Sequence, residues 1–213
     1  MKVNVLFLDY ARHDYTERTK SHNFSNAGYP FDFQIINLRG ISAALNEGIF
    51  QSTDYDAVVT MANDILMPEN WLKRMVEAAE AIPNTGMCGI HVVEGINPMT
   101  TVNGQQIHIQ DAAFGNVLIP MKAVKKIGLF NPAFDPYGMQ DRDYSFRLTQ
   151  TGHLNYYLHG LRAEHIGHDV GQQTEYRKMK DEGLMKCDEI WRECTARYQS
   201  TNDYTIFLKE YPI

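Results

Sequence analysis

Along the first ninety residues, short apolar runs alternate with segments whose apolar positions recur at helical spacing. Val3 to Leu8 is a largely apolar run that stops at Asp9. Such runs suit strands covered on both faces, as in a parallel sheet. Thr16 to Ala27 is polar and predicts a helix closed by Gly28. Phe31 to Leu38 predicts a second strand, with Phe31, Phe33 and Ile35 on one face. Ile41 to Phe50 is apolar at 41, 44, 45 and 49, a helical stripe. Tyr55 to Met61 predicts a third buried strand, followed by Asn63-Asp64. Pro68 opens a helix over 69 to 81, apolar at 71, 72, 75, 76 and 79, which Pro83 and Gly86 stop. Met87 to Val93 predicts a fourth strand. This β-α-β-α-β-α-β order implies an α/β fold, a mostly parallel central sheet flanked by helices. Ligands bind such sheets beyond the C-terminal strand ends. Asp9, Asn37 and Asp64 are therefore expected along one edge.

The second half has a different texture. Glu94 to Ile109 is polar and predicts a loop or hairpin over the site. Phe114 to Ile119 reads as a strand, Pro120 to Ile127 as a short helix stopped by Gly128, and 131 to 138 as a loop. Asp141 to Thr151 predicts a helix, Leu154 to Ile166 a strand and turn, and Glu175 to Tyr198 one long helix. Ser200 to Ile213 is a tail with a strand-like run over Tyr204 to Leu208. The expected organisation is one domain over 1–170, divided into halves 1–93 and 94–170. A C-terminal helix and tail, 171–213, pack on that domain.

Composition narrows the function classes. The 213 residues carry a formal net charge of −6, which argues against holding nucleic acid on a broad basic surface. The three cysteines, Cys88, Cys187 and Cys194, form neither a disulfide framework nor a zinc cluster. Buried reduced thiols are expected, and a cytoplasmic location with them. No stretch approaches the roughly 20 apolar residues of a membrane span.

Three constellations carry candidate chemistry. In Val58 to Asp64, a carboxylate just past a buried strand can hold a hard cation such as Mg²⁺ or Mn²⁺. The same Asp64 also suits a helix cap or a loop turn. In Gly138 to Arg147, Gln140, Asp141, Arg142, Asp143 and Arg147 gather at a predicted helix start. There the acids also favour the helix dipole, and Asp143 with Arg147 makes an i,i+4 pair. In Glu164 to Asp169, His165 and His168 stand beside acids, where an imidazole can serve a metal.

In this order the three segments resemble the family 2 glycosyltransferases of the GT-A fold. The resemblance runs through Met61-Ala62-Asn63-Asp64, Ile127-Gly128-Leu129-Phe130-Asn131-Pro132-Ala133-Phe134, Gln140-Asp141-Arg142-Asp143 with Arg147 and Gly152, and then His165. Arg39 to Gly48 is similar to a further family helix, and the spacing matches over residues 3 to 170. The chain departs from the pattern at Ala62, where an acid is usual, at Gln140, and after Leu8-Asp9-Tyr10. The resemblance implies an inverting transfer of a sugar from a nucleoside-diphosphate sugar to an acceptor hydroxyl, with Asp141 as catalytic base. It implies a divalent cation, Mn²⁺ or Mg²⁺, on Asp64 with His165 or His168. Tyr10, Arg12, Asn37, Arg39, Asn46 and Asn63 become donor-binding candidates, although Asn46 also suits fixing the loop. Gln140, Arg142, Asp143 and Arg147 become candidates for the leaving group or acceptor. The acceptor stays open among glycan, lipid-linked sugar, small molecule and nucleobase.

Two other functions compete. A non-catalytic nucleotide-sugar-binding module fits Ala62 and Gln140. A sugar nucleotidyltransferase wants a Gly-rich basic loop after the first strand, and Asp9-Tyr10-Ala11-Arg12-His13 lacks the glycines. The C-terminal helix shows an aromatic face, Trp191 and Tyr198, suited to packing on the core or, less readily, to a homo-oligomer.

Overall fold

The computed structural model describes residues 1–10, 13–92, 97–113, 115–167 and 174–207. Strands β1 (Val3–Leu8), β2 (Asp32–Ile36) and β3 (Ala57–Ala62) pair in parallel, with β1 between the other two. Their register puts Leu8 beside both Ile36 and Ala62, so the three C-terminal ends are level. Asp9 and Asn37 follow directly on that edge, and the expected Asp64 comes one residue later, after Asn63.

A two-stranded ribbon, β4 (Ile65–Leu66) with β10 (Glu164–His165), sits just beyond β3. The main sheet continues through β5 (Thr85–His91), β6 (Thr100–Val102), β7 (Gln105–Ile109), β8 (Val117–Pro120) and β9 (Leu154–Arg162), in the order β2-β1-β3-β8-β5-β9-β7-β6. Six of these eight strands point one way; β7 and β8 run against them. The sheet is therefore mixed. The predicted fourth strand corresponds to β5, which is separated from β3 by the antiparallel insertion of β8; Val93 lies outside the described residues. The loop or hairpin expected over Glu94 to Ile109 is a hairpin in its described part, β6–β7, which widens the sheet beside β9.

Two apolar layers cover the sheet. On one face, α1 (His13–Ser25) and α3 (Trp71–Ala81) pack over Val5, Phe7, Val59 and Met61. On the other, α2 (Ile41–Phe50), α4 (Met121–Ile127) and α5 (Gln140–Gln150) pack over Leu6, Val58 and Ile119. The alternation of side chains along each strand divides the core in this way.

The long C-terminal helix divides into α6 (Glu175–Leu184) and α7 (Cys187–Thr201). Near the end of α6 the helix passes against the backbone of Tyr137, and a β-carbon at Gly183 would overlap that carbonyl. The aromatic face of α7 packs on α5: Trp191 meets Phe146 edge-on at 5.5 Å, and Tyr198 is fully buried. The predicted tail strand contributes one isolated bridge, Ile206 to Gly128. Among the described residues, no helix is long and apolar enough to cross a membrane.

Candidate active site

The chain leaves β1 for one face of the sheet and β2 for the other, which opens a crevice at their C-terminal ends. Leu8, Ile36 and Ile41 give it an apolar wall; Tyr10, Asn63 and Asp64 border it, and Tyr176 reaches over it from α6. Asp9 fixes the geometry of this edge. Its carboxylate is buried and accepts from Thr16 of α1 and from the Asn63 amide at 3.1 Å. His13 Nδ1 meets its other oxygen at 2.7 Å.

Asn63 and Asp64 form the turn between β3 and β4. The β4–β10 pairing sets His165 opposite Ile65, and Ile166 N donates to the Asp64 carbonyl at 2.9 Å. The pairing brings His165 Nε2 to 3.0 Å from Asp64 Oδ2. Two residues 101 apart in sequence thus meet as an imidazole and a carboxylate. The contact is a hydrogen bond, and both atoms are of kinds that can ligate a divalent cation. Among the described residues no group of three or more His, Cys, Asp or Glu gathers for a metal, so phosphate oxygens and water would complete the shell. His168 lies outside the described residues, as does Arg12.

Asp141 stands in the first turn of α5. Its carboxylate accepts from its own N–H and from that of Gly115, in the segment leading into β8. Burial raises its pKa from 3.8 to about 6, against those two hydrogen bonds. The neighbouring Asp143 does not contribute to the shift. Tyr137 lies within electrostatic reach of both acids: its hydroxyl is pushed to about 12 by burial and by the charges of Asp141 and Asp64. It remains a neutral donor at pH 7.

Other sequence candidates divide into those the fold brings to the crevice and those it turns elsewhere. Tyr10 is at the crevice, its hydroxyl donating to Glu175 at 2.8 Å. Arg39 pairs with Glu182 at 2.6 Å, and Asn37 is exposed at the end of β2. Asn46 is turned away from the crevice: its amide donates to the Phe130 carbonyl and accepts from the Phe130 N–H, at 2.9 and 2.8 Å. Both halves of the amide are spent on fixing that loop. Asp143 and Arg147 are fully buried and out of reach of a leaving group. Arg147 bonds Asp143 at 2.8 Å and the carbonyls of Ile127 and Leu129 at 3.1 and 2.8 Å. Gln140 is buried and accepts from Gly138 N at 3.1 Å. Arg142 is exposed and lies 5.0 Å over the Trp191 ring, on α7. Three groups near the crevice escaped the sequence reading: Tyr137, Tyr176 and Lys180. Tyr137 was inside a loop read only for its turn residues, and the others inside a helix read only for its apolar face.

Residues 9–155 match glycosyl transferase family 2, a span that includes both the Asn63-Asp64 turn and Asp141 and ends before α6. No curated protein matches the chain in sequence. Among solved structures it is similar to GalNAc-T7 with UDP, GalNAc and Mn²⁺, at TM-score 0.64 and 11% identity, over 78% of this chain and 44% of that one. It is similar to the catalytic domain of Drosophila beta1,4-galactosyltransferase 7 in complex with xylobiose, at TM-score 0.63 and 14% identity, over 81% and 74%. A mannosyltransferase from Pyrobaculum calidifontis in complex with GDP-Man and Mn²⁺ superimposes at TM-score 0.61 and 14% identity, over 80% and 58%. These likenesses establish the GT-A fold, and the chain spans less than half of the first structure's length. By the match over residues 9–155, the chain belongs to glycosyl transferase family 2.

Proposed function

We propose that this protein transfers a sugar from a nucleoside-diphosphate sugar to an acceptor hydroxyl with inversion, using Asp141 as the base. The observation that carries the reading is Tyr137, a single side chain that feels both the Asp141 and the Asp64 charge. A base and a carboxylate able to hold a cation, both within reach of one side chain, are two parts that a displacement at the anomeric carbon requires. The acceptor hydroxyl gives its proton to Asp141 as its oxygen attacks the anomeric carbon, and the sugar–phosphate bond breaks on the opposite face. An Asp with a pKa of about 6 is ionised at pH 7 yet more basic than an ordinary carboxylate. Asp64 and His165 would hold the divalent cation, which supplies charge stabilisation for the departing diphosphate. An imidazole in that pair favours Mn²⁺ over Mg²⁺, which keeps to oxygen ligands. The apolar wall of Leu8, Ile36 and Ile41 suits the flat face of a nucleobase.

Asp141→Asn is expected to fold, to bind nucleotide as the parent does, and to lose turnover by a factor on the order of 10² or more. Steady-state kinetics with Mn²⁺ over a panel of nucleotide sugars measures this, and NMR of the product gives the anomeric configuration. Unchanged turnover would remove Asp141 as base. A retained configuration would remove the single displacement. Ala62, in place of the usual first acid, favours a second reading as a binding module. That reading predicts donor binding with no transfer and no slow hydrolysis of donor by water.

A further inference from the structure

Helix α6 lies beyond the residues that match the family, yet it contributes Tyr176 to the crevice lining. Both of its ends are tied to strand ends. At its start, Glu175 accepts from Tyr10 at the end of β1, at 2.8 Å. At its close, Glu182 pairs with Arg39 just after β2, at 2.6 Å, and Gly183 lets the helix lie directly against the Tyr137 backbone. Between these ties the Lys180 ammonium stands 4.9 Å from the centroids of both the Tyr137 and the Tyr176 ring. Those rings meet edge to face at 6.5 Å. Tyr176 borders the crevice beside Asp64, and Tyr137 lies within electrostatic reach of Asp64 and Asp141. The ammonium thus stands against the ring of a residue that lines the crevice, as Asp64 also does.

Charge balance gives this position its meaning. Asp64 and Asp141 are both acidic, and a nucleoside diphosphate leaving a sugar adds further negative charge. One divalent cation offsets only part of that total. A compact cation on a flexible stem, held by two aromatic faces, can meet phosphate oxygens without demanding a fixed geometry. We propose that Lys180, presented by the Tyr137 and Tyr176 rings on α6, binds the diphosphate of the donor. This rests on the nucleotide-sugar reading above.

The test compares the intact protein with Lys180→Met, which keeps most of the stem, and Lys180→Arg. In the presence of Mn²⁺, calorimetry measures the affinity for UDP, GDP, ADP, CDP and dTDP, and ligand-observed NMR measures the affinity for the matching nucleosides. Lys180→Met is expected to weaken the best diphosphate about tenfold and leave its nucleoside unchanged, and Lys180→Arg to restore most of the loss. Equal diphosphate affinity in parent and Lys180→Met overturns the proposal. So does an equal loss for diphosphate and nucleoside, which makes Lys180 only a support for α6. A parent protein that binds none of the five diphosphates overturns the donor reading itself and this proposal with it.

Discussion

At pH 7 the Asp141 carboxyl must be ionised to take a proton, and burial opposes that ionisation. The pKa of about 6 is the outcome. With one controlling group, kcat/KM should fall about tenfold between pH 7 and pH 5, as the basic form drops from about nine-tenths to about one-tenth. The same shift acts on stability. A folded-state value raised from 3.8 to about 6 stabilises the fold fully below the lower value. That stabilisation is lost as pH rises through the upper one. Asp141→Asn should therefore match the parent near pH 3 and exceed it above pH 7, by at most about 3 kcal/mol. Thermal melts of both proteins across that range measure the difference. A variant less stable than the parent at pH 8 would show that the ionised carboxylate is well accommodated. At this scale the positions of Asp141 and Asp64 were legible, because a helix start and a strand end fix where a residue sits. Asn46, Asp143 and Arg147 each carried two readings, and the fold uses the structural one: a loop tie for Asn46 and an i,i+4 pair for the other two. A polar side chain on a helix looks identical in sequence whether it meets a ligand or a backbone carbonyl far away in the chain.

Among the elements, α2 shows how a site can depend on a residue that no local pattern reveals. Its N-cap, Gly40, has φ of 98°, a conformation suited to glycine, and offers no side chain to the first turn. Asp135 caps the helix from 95 residues downstream. One carboxylate oxygen accepts from Ser42 N at 2.8 Å and the other from Ala43 N at 3.1 Å. The cap orients Ile41 and Ala44, which line the crevice. Asp135→Ala should cost about 1 to 2 kcal/mol, read by urea denaturation, and loosen nucleotide binding without changing the pH profile of Asp141. Stability within about 0.3 kcal/mol of the parent would mean that water replaces the carboxylate at no cost. Elements with strong periodicity, such as β1, α2 and β3, were legible because each is specified by its own residues. The antiparallel insertion of β8 was not, since strand order depends on pairings between distant segments. The break between α6 and α7 was also hidden, because apolar positions at helical spacing, Leu184, Cys187 and Ile190, run on across it.

For the whole molecule, the C-terminal helices complete a core that the family-matched segment leaves open. Tyr198 of α7 donates to the buried Asp143 carboxylate at 2.9 Å and receives the Asn131 amide at 3.1 Å. It thereby closes the polar network in which Arg147 ties α5 to the carbonyls of Ile127 and Leu129. Asp143 is two residues from Asp141, so the network that holds α5 also sets the position of the base. A buried charge that loses a partner retains its desolvation cost. Tyr198→Phe keeps the ring and removes the bond, and should lower stability by about 1 to 3 kcal/mol. Residues 1–170 alone lose Tyr198 and Trp191 together, leaving Asp143 short of a donor and Phe146 uncovered. That fragment should show no cooperative thermal transition and should bind a hydrophobic dye. A fragment that melts cooperatively within a few degrees of the full chain would make α6 and α7 an appendage. The two measurements separate a lost hydrogen bond from a lost layer: Tyr198→Phe should melt earlier but still as one unit, and the fragment should not.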